Sequence, residues 1–181
     1  MTPVKLGLIG CGRIARLTHL HAIRSNSDAA TIVAIADPDA KARGAVRQRV
    51  PGSAEFESGA DVIGSHDVDA VLIASPPSTH VQLALAALNA GRHVYLEKPM
   101  GCDLEEIRRL HAAWRDSGLV GMMGFNQRAH PLMARARSLI QSGTIGAPVM
   151  VQSTFAAAAR ELPEWKKRRA SGGGALLDLA S

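Results

Sequence analysis

Aromatic residues are scarce in this chain, where they make up 3% of 181 residues against 46% for hydrophobic residues as a whole. With few rings to fill an interior, we expect a core of aliphatic and alanine side chains, as in parallel strands buried under helices. The sequence has no apolar run of membrane-spanning length, and no signal peptide precedes the first predicted strand. We therefore predict no membrane partner.

Cysteine is also rare. Cys11 lies in a glycine-rich loop and Cys102 at the start of a predicted helix. Nothing in their positions suggests a disulfide, so a reducing, cytoplasmic location fits best.

The formal net charge is +5 and the sequence pI about 9.8, which raises the question of nucleic acid. Apart from the cluster at 166–169, the basic residues are scattered, and no aromatic residues interleave with them to stack on bases. We predict no nucleic-acid partner. No metal is predicted either, because six of the seven histidines lack ligand spacing with a supporting carboxylate or cysteine. They are His19, His21, His66, His93, His111 and His130.

The most informative stretch is Val4–Ala15, which reads VKLGLIGCGRIA. A short apolar strand leads into a glycine turn and then into helical spacing, which fits a dinucleotide-binding fingerprint ending in Ala. Gly10 permits the tight turn, and Gly12 lets a pyrophosphate approach the backbone. The helix that follows offers N–H groups and its positive end to phosphates. The alternative is a tight turn without a ligand.

The rest of this turn, Cys11, Arg13 and Ile14, is predicted to contact the cofactor together with the glycines. A second predicted strand, 31–36, ends at Asp37, where a ribose-binding acid is expected. A carboxylate there accepts bonds from ribose hydroxyls and repels a 2′-phosphate, so NAD is predicted over NADP. The alternative for Asp37 is the N-cap of the next helix, and one residue can serve both roles.

Strands and helices alternate through the first 125 residues. Predicted strands at 31–36, 54–56, 68–74, 93–96 and 120–125 are separated by helices at 13–25, 38–50, 59–64, 79–90 and 103–117. This alternation predicts an α/β fold, a doubly wound parallel sheet over residues 1–125. Residues 126–181 read as the beginning of a second domain. They hold a predicted helix at 131–142, a predicted strand at Val149–Thr154, and the start of another helix after 172–174.

Three further stretches belong together: Glu97-Lys98-Pro99 after a strand, GFNQR at 124–128, and GGGALLDLAS at 172–181. With the glycine turn, they resemble the Gfo/Idh/MocA family, and the resemblance covers the whole chain in order. It implies an N-terminal Rossmann domain and a C-terminal α/β domain with a mostly antiparallel sheet. The implied activity is NAD(P)-dependent oxidation or reduction at a carbinol carbon of a sugar, cyclitol or related small molecule.

By this resemblance, Lys98 lies near the nicotinamide and the substrate hydroxyl, with Glu97 beside it, and a cis bond at Pro99 aims Lys98. Asp178 matches the acid of the family's GGG…D…H motif, and the family's histidine would follow Ser181. Family members are about twice this length, so we expect a truncated substrate domain and, for the full-length form, a homo-oligomer. The alternative function is a catalytically incomplete dinucleotide-binding fragment.

Residues at other strand ends complete the predicted site. Ser75 and Pro76 are expected to line the cofactor path through backbone and shape. His80 either contacts the nucleotide or makes local bonds at a helix start. Asn126 and Arg128 lie at the predicted domain junction, where they contact cofactor or substrate, or Arg128 pairs with an acid across it.

Overall fold

The computed structural model describes residues 2–154 and residue 167. Its centre is a sheet of six parallel strands in the order β3-β2-β1-β4-β5-β6. The strands are β1 (Val4–Ile9), β2 (Ala30–Ala36), β3 (Ala54–Phe56), β4 (Ala70–Ile73), β5 (His93–Leu96) and β6 (Gly121–Met123). The predicted doubly wound parallel sheet is confirmed.

The first five helices connect successive strands, as parallel pairing requires, and the sixth follows the last strand. They are α1 (Leu20–Arg24), α2 (Ala40–Arg47), α3 (Gly59–Gly64), α4 (His80–Asn89), α5 (Leu104–Ser117) and α6 (Pro131–Gln141). Two short 3₁₀ turns, Pro77–Thr79 and Asn126–Ala129, precede α4 and α6. Among the residues that the structure describes, no helix has the length and apolar character needed to cross a membrane.

The core lies on both faces of the sheet because neighbouring strand residues point in opposite directions. Leu8 belongs to one buried cluster and Ile9 to the other, and in β4 Leu72 and Ile73 divide in the same way. Their side chains are at most 5% exposed. Burial on both faces explains why these strands are continuous apolar runs instead of alternating patterns.

Helix α5 shows how local sequence sets the ends of an element. The Asp103 carboxylate accepts hydrogen bonds from the backbone N–H groups of Glu105 and Glu106, at 2.9 and 3.1 Å. At the other end Gly118 has φ +67°, a conformation that glycine adopts without a Cβ penalty. The predicted cap and stop are both confirmed.

The first helix differs from the uniform helix predicted at 13–25. Its middle, Ala15–His19, is π-helical, and the Leu20 N–H donates to the Ala15 carbonyl five residues earlier. Because helical hydrogen bonds run along the axis, the bond from Leu20 to Ala15 places Leu20 directly above Ala15. The extra residue in this turn lets the adjacent residues His19 and Leu20 both point inward. His19 is 7% exposed and Leu20 1%.

The predicted strand Val149–Thr154 is wrong: residues 149–154 have no regular secondary structure. A strand needs a neighbour for its backbone groups, and Val149 is 99% exposed. The predicted segments at 68–74, 120–125 and 38–50 are each shorter in the structure, because their outer residues lie outside the regular helix or strand. The glycine stretch at 172–174, the helix start after it and Asp178 lie outside the described residues.

Candidate functional site

The predicted site residues that follow strands come to one edge of the sheet. Gly10 follows β1, Asp37 follows β2, Ser75 lies just after β4 and Lys98 just after β5. Because all six strands are parallel, their carboxyl ends share that edge. The strand order reverses between β1 and β4, and ligands of open α/β sheets bind outside such a reversal.

The glycine turn has the geometry that a phosphate cradle needs. Gly10 has φ +98°, and a Cβ there would lie 2.6 Å from the backbone of Ala74 and Ser75. A side chain at residue 10 is therefore excluded by both conformation and space. A Cβ on Gly12 would meet no heavy atom within 4 Å, so one side of its backbone is open to an approaching group. These residues fit a dinucleotide pyrophosphate.

The side chains in this turn divide between core and solvent. Arg13 is exposed and Ile14 is 39% exposed, at the start of the helix. Cys11 is fully buried, and its thiol lies 3.7 Å from the Ala36 carbonyl oxygen. Burial, followed by the negative charge of Asp37, raises the pKa of the Cys11 thiol from 9.0 to about 12. The thiol is therefore uncharged at neutral pH.

Asp37 joins the second strand to the glycine turn. Its Oδ2 accepts a hydrogen bond from the Cys11 N–H at 2.8 Å, and its Oδ1 accepts one from the Asp39 N–H at 2.9 Å. Both carboxylate oxygens are thus fixed by backbone donors, and the half-buried side chain stands beside the turn. The carboxylate is oriented before any ligand binds.

The predicted alternative for Asp37, the cap of the next helix, is wrong. Helix α2 begins at Ala40, and Asp39 caps it by accepting from the Lys41 N–H at 2.8 Å. Pro38 separates the two acids, so the carboxylate after β2 is two residues too early to reach the N2 and N3 donors of the helix. Asp37 and Asp39 therefore have separate roles.

Arg43, which the sequence analysis did not single out, lies close to Asp37. Its Nη1 donates to the Asp37 carbonyl oxygen at 2.7 Å, and its Nε donates to Glu55 at 2.9 Å. Its Nη2 also lies 3.7 Å from Glu57. The hydrogen bond to Glu55 raises the pKa of Arg43. The charge of this arginine is thus compensated by acids of its own domain.

The turn after β4 is held by its own side chains. The Ser75 Oγ lies 2.7 Å from the Thr79 Oγ1, which in turn lies 2.8 Å from the Pro76 carbonyl oxygen. These contacts leave Ser75 half-buried beside the glycine turn and Pro76 exposed. Both residues stand where a ligand in the strand reversal would pass.

His80 is 1% exposed at the start of α4. Its Nδ1 lies 2.7 Å from the Pro99 carbonyl oxygen and its Nε2 lies 2.9 Å from that of Ser75. Burial lowers the pKa of His80, while the two carbonyls act in the opposite direction. With both ring nitrogens engaged inside the protein, the geometry favours local bonds over the nucleotide contact that was also predicted. His80 links the turn after β4 to the loop that carries Lys98.

Glu97, at the end of β5, is held between two donors. Its Oε1 lies 2.8 Å from the His19 Nε2, and its Oε2 accepts the Lys98 N–H at 3.1 Å. The carboxyl group lies against Gly124, where a Cβ would be 3.1–3.2 Å from it. The His19 ring also packs edge-on against Tyr95, with ring centroids 5.5 Å apart.

The Lys98–Pro99 peptide bond is cis, as predicted. Asn126 and Arg128 lie in the exposed turn before α6. Asp178, predicted as the second catalytic residue, lies outside the part of the chain that the structure describes. Within residues 2–154, no group of three or more His, Cys, Asp or Glu side chains is placed to hold a metal ion.

Sequence reasoning missed the pairing of His19 with Glu97, which are 78 residues apart. The available signal was that His19 lies four residues after Ala15, on the helix that follows the glycine turn. A lone helical histidine carries too little information to predict a partner on another strand.

A parallel sheet in this order, with an open glycine turn at the strand reversal and an acid after β2, defines a dinucleotide-binding Rossmann domain. Residues 4–125 match the family model described as "Oxidoreductase family, NAD-binding Rossmann fold", and residues 133–181 match the "GFO/IDH/MocA C-terminal domain". The chain belongs to the Gfo/Idh/MocA oxidoreductase family.

Individual relatives agree with this membership. The chain is 38% identical over 148 residues to inositol 2-dehydrogenase 3 of Saccharopolyspora erythraea, covering 81% of this chain and 43% of that protein. It is 33% identical over 179 residues to the rhizopine catabolism protein MocA of Rhizobium meliloti, covering 99% and 54%. The chain thus spans about half the length of the relatives it matches, or less.

A solved structure gives the same result. The scyllo-inositol dehydrogenase of Lactobacillus casei, with bound NAD(H) and scyllo-inositol, matches with a TM-score of 0.74 and 32% identity. The match covers 80% of this chain and 42% of that one.

Proposed function

We propose that this chain is the cofactor-binding part of an NAD-dependent dehydrogenase that acts on a carbinol carbon of a sugar, cyclitol or related small molecule. The observation that carries the proposal is the position of Lys98. It follows β5 at the sheet edge that also carries the glycine turn and Asp37. A cofactor held by that turn and that acid would reach toward the β4 and β5 ends, where a proton-transferring group is needed.

The cofactor half of the proposal rests on two neighbouring features. The open side of Gly12 and the helix that starts after it suit a pyrophosphate. Asp37, held by the Cys11 and Asp39 N–H groups, would accept the adenosine ribose hydroxyls and repel a 2′-phosphate. The compensated charge of Arg43 supports NAD over NADP, since that guanidinium is already paired with acids.

Bound NAD supplies the hydride acceptor, and the protein must position the substrate and move one proton. We assign that proton to Lys98, whose ammonium group can donate a hydrogen bond to the substrate oxygen and exchange a proton with it. Asp178 is proposed as a partner in orienting the substrate or a proton carrier, on the family motif alone. The names of the relatives support cyclitols as the first substrate class to test.

The remaining contacts are proposed from position at the same sheet edge. They are Gly10, Cys11, Arg13, Ile14, Ser75, Pro76, Glu97 and Asn126. For Cys11 only the backbone is available, because its side chain is buried. His80 is proposed to act through the loops it links instead of by direct contact.

We place the domain boundary between residues 125 and 126, after β6 and near the end of the first family match. We propose a cytoplasmic location on the two free thiols, Cys11 and Cys102, and a homo-oligomer for the full-length form.

The length comparison supports a second candidate, a chain that binds the dinucleotide without turnover. The chain spans 43% of the inositol 2-dehydrogenase it matches, so that enzyme has residues with no counterpart here. Calorimetric titration with NAD, followed by NADH absorbance with a panel of inositols and sugars, separates the two. Binding with turnover supports the dehydrogenase, binding alone supports the second candidate, and absence of NAD binding overturns both.

A further inference from the structure

We propose that His19 is a positioning residue that couples the cofactor-binding helix to Lys98 through the Glu97 carboxylate. This inference rests on the proposed function, because it assigns Lys98 a place in the reaction. It adds a residue to which none of the sequence motifs assigns a role. The contact joins the first helix to the end of the fifth strand, across 78 residues of sequence.

The first step is the placement of His19. The helix that begins at the glycine turn is π-helical over Ala15–His19, and this segment turns His19 inward. π-Helical turns inside helices are frequent at functional sites. The ring is 7% exposed and packs edge-on against Tyr95, so its orientation is restricted on the sheet side.

The second step is the geometry of the Glu97 carboxylate, whose two oxygens contact different partners. One oxygen lies 2.8 Å from the His19 Nε2, and the other accepts the Lys98 N–H at 3.1 Å. A Cβ at residue 124 would lie 3.1–3.2 Å from the carboxyl group, so the glycine there leaves the carboxylate room in this position. Because the group is planar, fixing one oxygen on His19 aims the other at the Lys98 amide.

The third step is the effect on Lys98. Its amide is held by Glu97 on one side, and the following Pro99 carbonyl lies 2.7 Å from the His80 ring on the other. The backbone that carries the proposed proton-transferring side chain is thus tied to two helices. One of them, through His19, is the helix whose start would receive the cofactor phosphates, so cofactor binding and lysine position share one rigid link.

The test uses the 181-residue chain with His19→Leu, His19→Gln and a matched control, His21→Leu. His21 is exposed, lies on the same helix and is two residues away. A glutamine side chain can present its amide N–H where the His19 Nε2 lies, so His19→Gln should rescue. The first readout is amide hydrogen exchange at Lys98. His19→Leu should exchange about five-fold faster at this amide, since a net hydrogen bond is worth about 1 kcal/mol.

The second readout is a spectroscopic signature that general destabilisation would not move. The chain has five lysines, so ¹³Cε-labelled lysine gives a simple NMR spectrum, in which Lys98→Arg identifies the Lys98 signal. That signal should shift in folded His19→Leu and keep its wild-type position in His19→Gln and His21→Leu. An unchanged Lys98 signal and unchanged amide exchange in folded His19→Leu would overturn the proposal.

A third variant and a cofactor titration complete the test. If His19→Leu does not fold, Glu97→Gln replaces it. Glu97→Gln should speed hydrogen exchange at the Lys98 amide, since the single carbonyl oxygen of glutamine replaces the two oxygens that contact His19 and the Lys98 N–H. A wild-type exchange rate at Lys98 in that variant would also overturn the proposal. NAD titration of the wild-type chain separates the two proposals: no NAD binding removes the proposed function, while the ligand-free exchange and NMR data still decide the role of His19.

Discussion

The Asp37 carboxylate accepts the Cys11 N–H at 2.8 Å and so joins the end of β2 to the glycine turn, across 26 residues of sequence. The acid proposed for the ribose therefore also shapes the turn proposed for the pyrophosphate. A change at Asp37 should affect both cofactor choice and stability, whereas a change at the capping acid two residues later should affect stability alone.

Asp37→Ala and Asp39→Ala form a matched pair for this prediction. Asp37→Ala should narrow the preference for NAD over NADP by about ten-fold or more, because it removes a charge-assisted acceptor and a repulsive charge. Asp39→Ala should cost about 1 kcal/mol of folding free energy through its lost cap and leave the preference unchanged. Titration of both cofactors measures this. Equal affinities of the unmodified chain for NAD and NADP would show that Asp37 only holds the glycine turn.

Lys98→Ala should lower turnover far more than it lowers NAD affinity, because Lys98 is assigned to the proton and not to the pyrophosphate. Loss of a general acid–base group costs about 10²-fold or more in kcat. The measurement needs a form of the enzyme that turns over a polyol, with NAD affinity determined in parallel. Lys41→Ala, an exposed lysine at the start of α2, is the control. A similar loss in both variants would remove Lys98 from the chemistry.

Gly121→Ala should destabilise the protein by about 1–3 kcal/mol, the usual cost of overpacking. A Cβ at residue 121 would overlap the indole ring of Trp114, which covers the edge strand β6. Gly44→Ala is the control, since it lies inside α2 with open space around it and should stabilise by about 0.5–1 kcal/mol. Thermal unfolding of both variants should shift in opposite directions, and an unchanged midpoint for Gly121→Ala would contradict the packing.

The buried thiol of Cys11 predicts a loss of stability at alkaline pH. Its folded-state pKa, about 12, lies above the ordinary cysteine value of 9.0, so the folded state holds the proton more tightly than the unfolded state. The resulting stabilisation is complete below pH 9.0 and is lost as the pH rises toward 12. The difference in unfolding free energy between wild type and Cys11→Ala should therefore shrink as the pH rises above 9.0. A constant difference would mean that Cys11 ionises in the folded state as in the unfolded one.

Much of the nucleotide domain was predictable from local patterns. The run of small residues at Gly10 and Gly12, the cap at Asp103 and the stop at Gly118 each act within a few residues. The structure confirms the cap, the stop and the positive φ of Gly10. The apolar strands were equally clear, because burial on both faces removes their polar positions.

Other features needed contacts between distant segments. The strand predicted at Val149–Thr154 has suitable residues, but the described structure offers it no neighbour, and strand pairing is never a local property. His80 could contact a nucleotide or bond locally on sequence grounds. Its two carbonyl partners, one of them on a loop 19 residues away, favour the second.

The amino-acid sequence alone determined the order of strands and helices, the glycine turn and the acid after β2, because hydrophobic period, glycine φ and capping are local effects. Only the tertiary structure decided that Asp39 instead of Asp37 caps α2, and that His19 meets Glu97. The first depends on a shift of two residues in where helix α2 begins. The second depends on a π-helical turn and on a parallel sheet that brings the first helix over the end of the fifth strand, and neither can be read from either segment by itself.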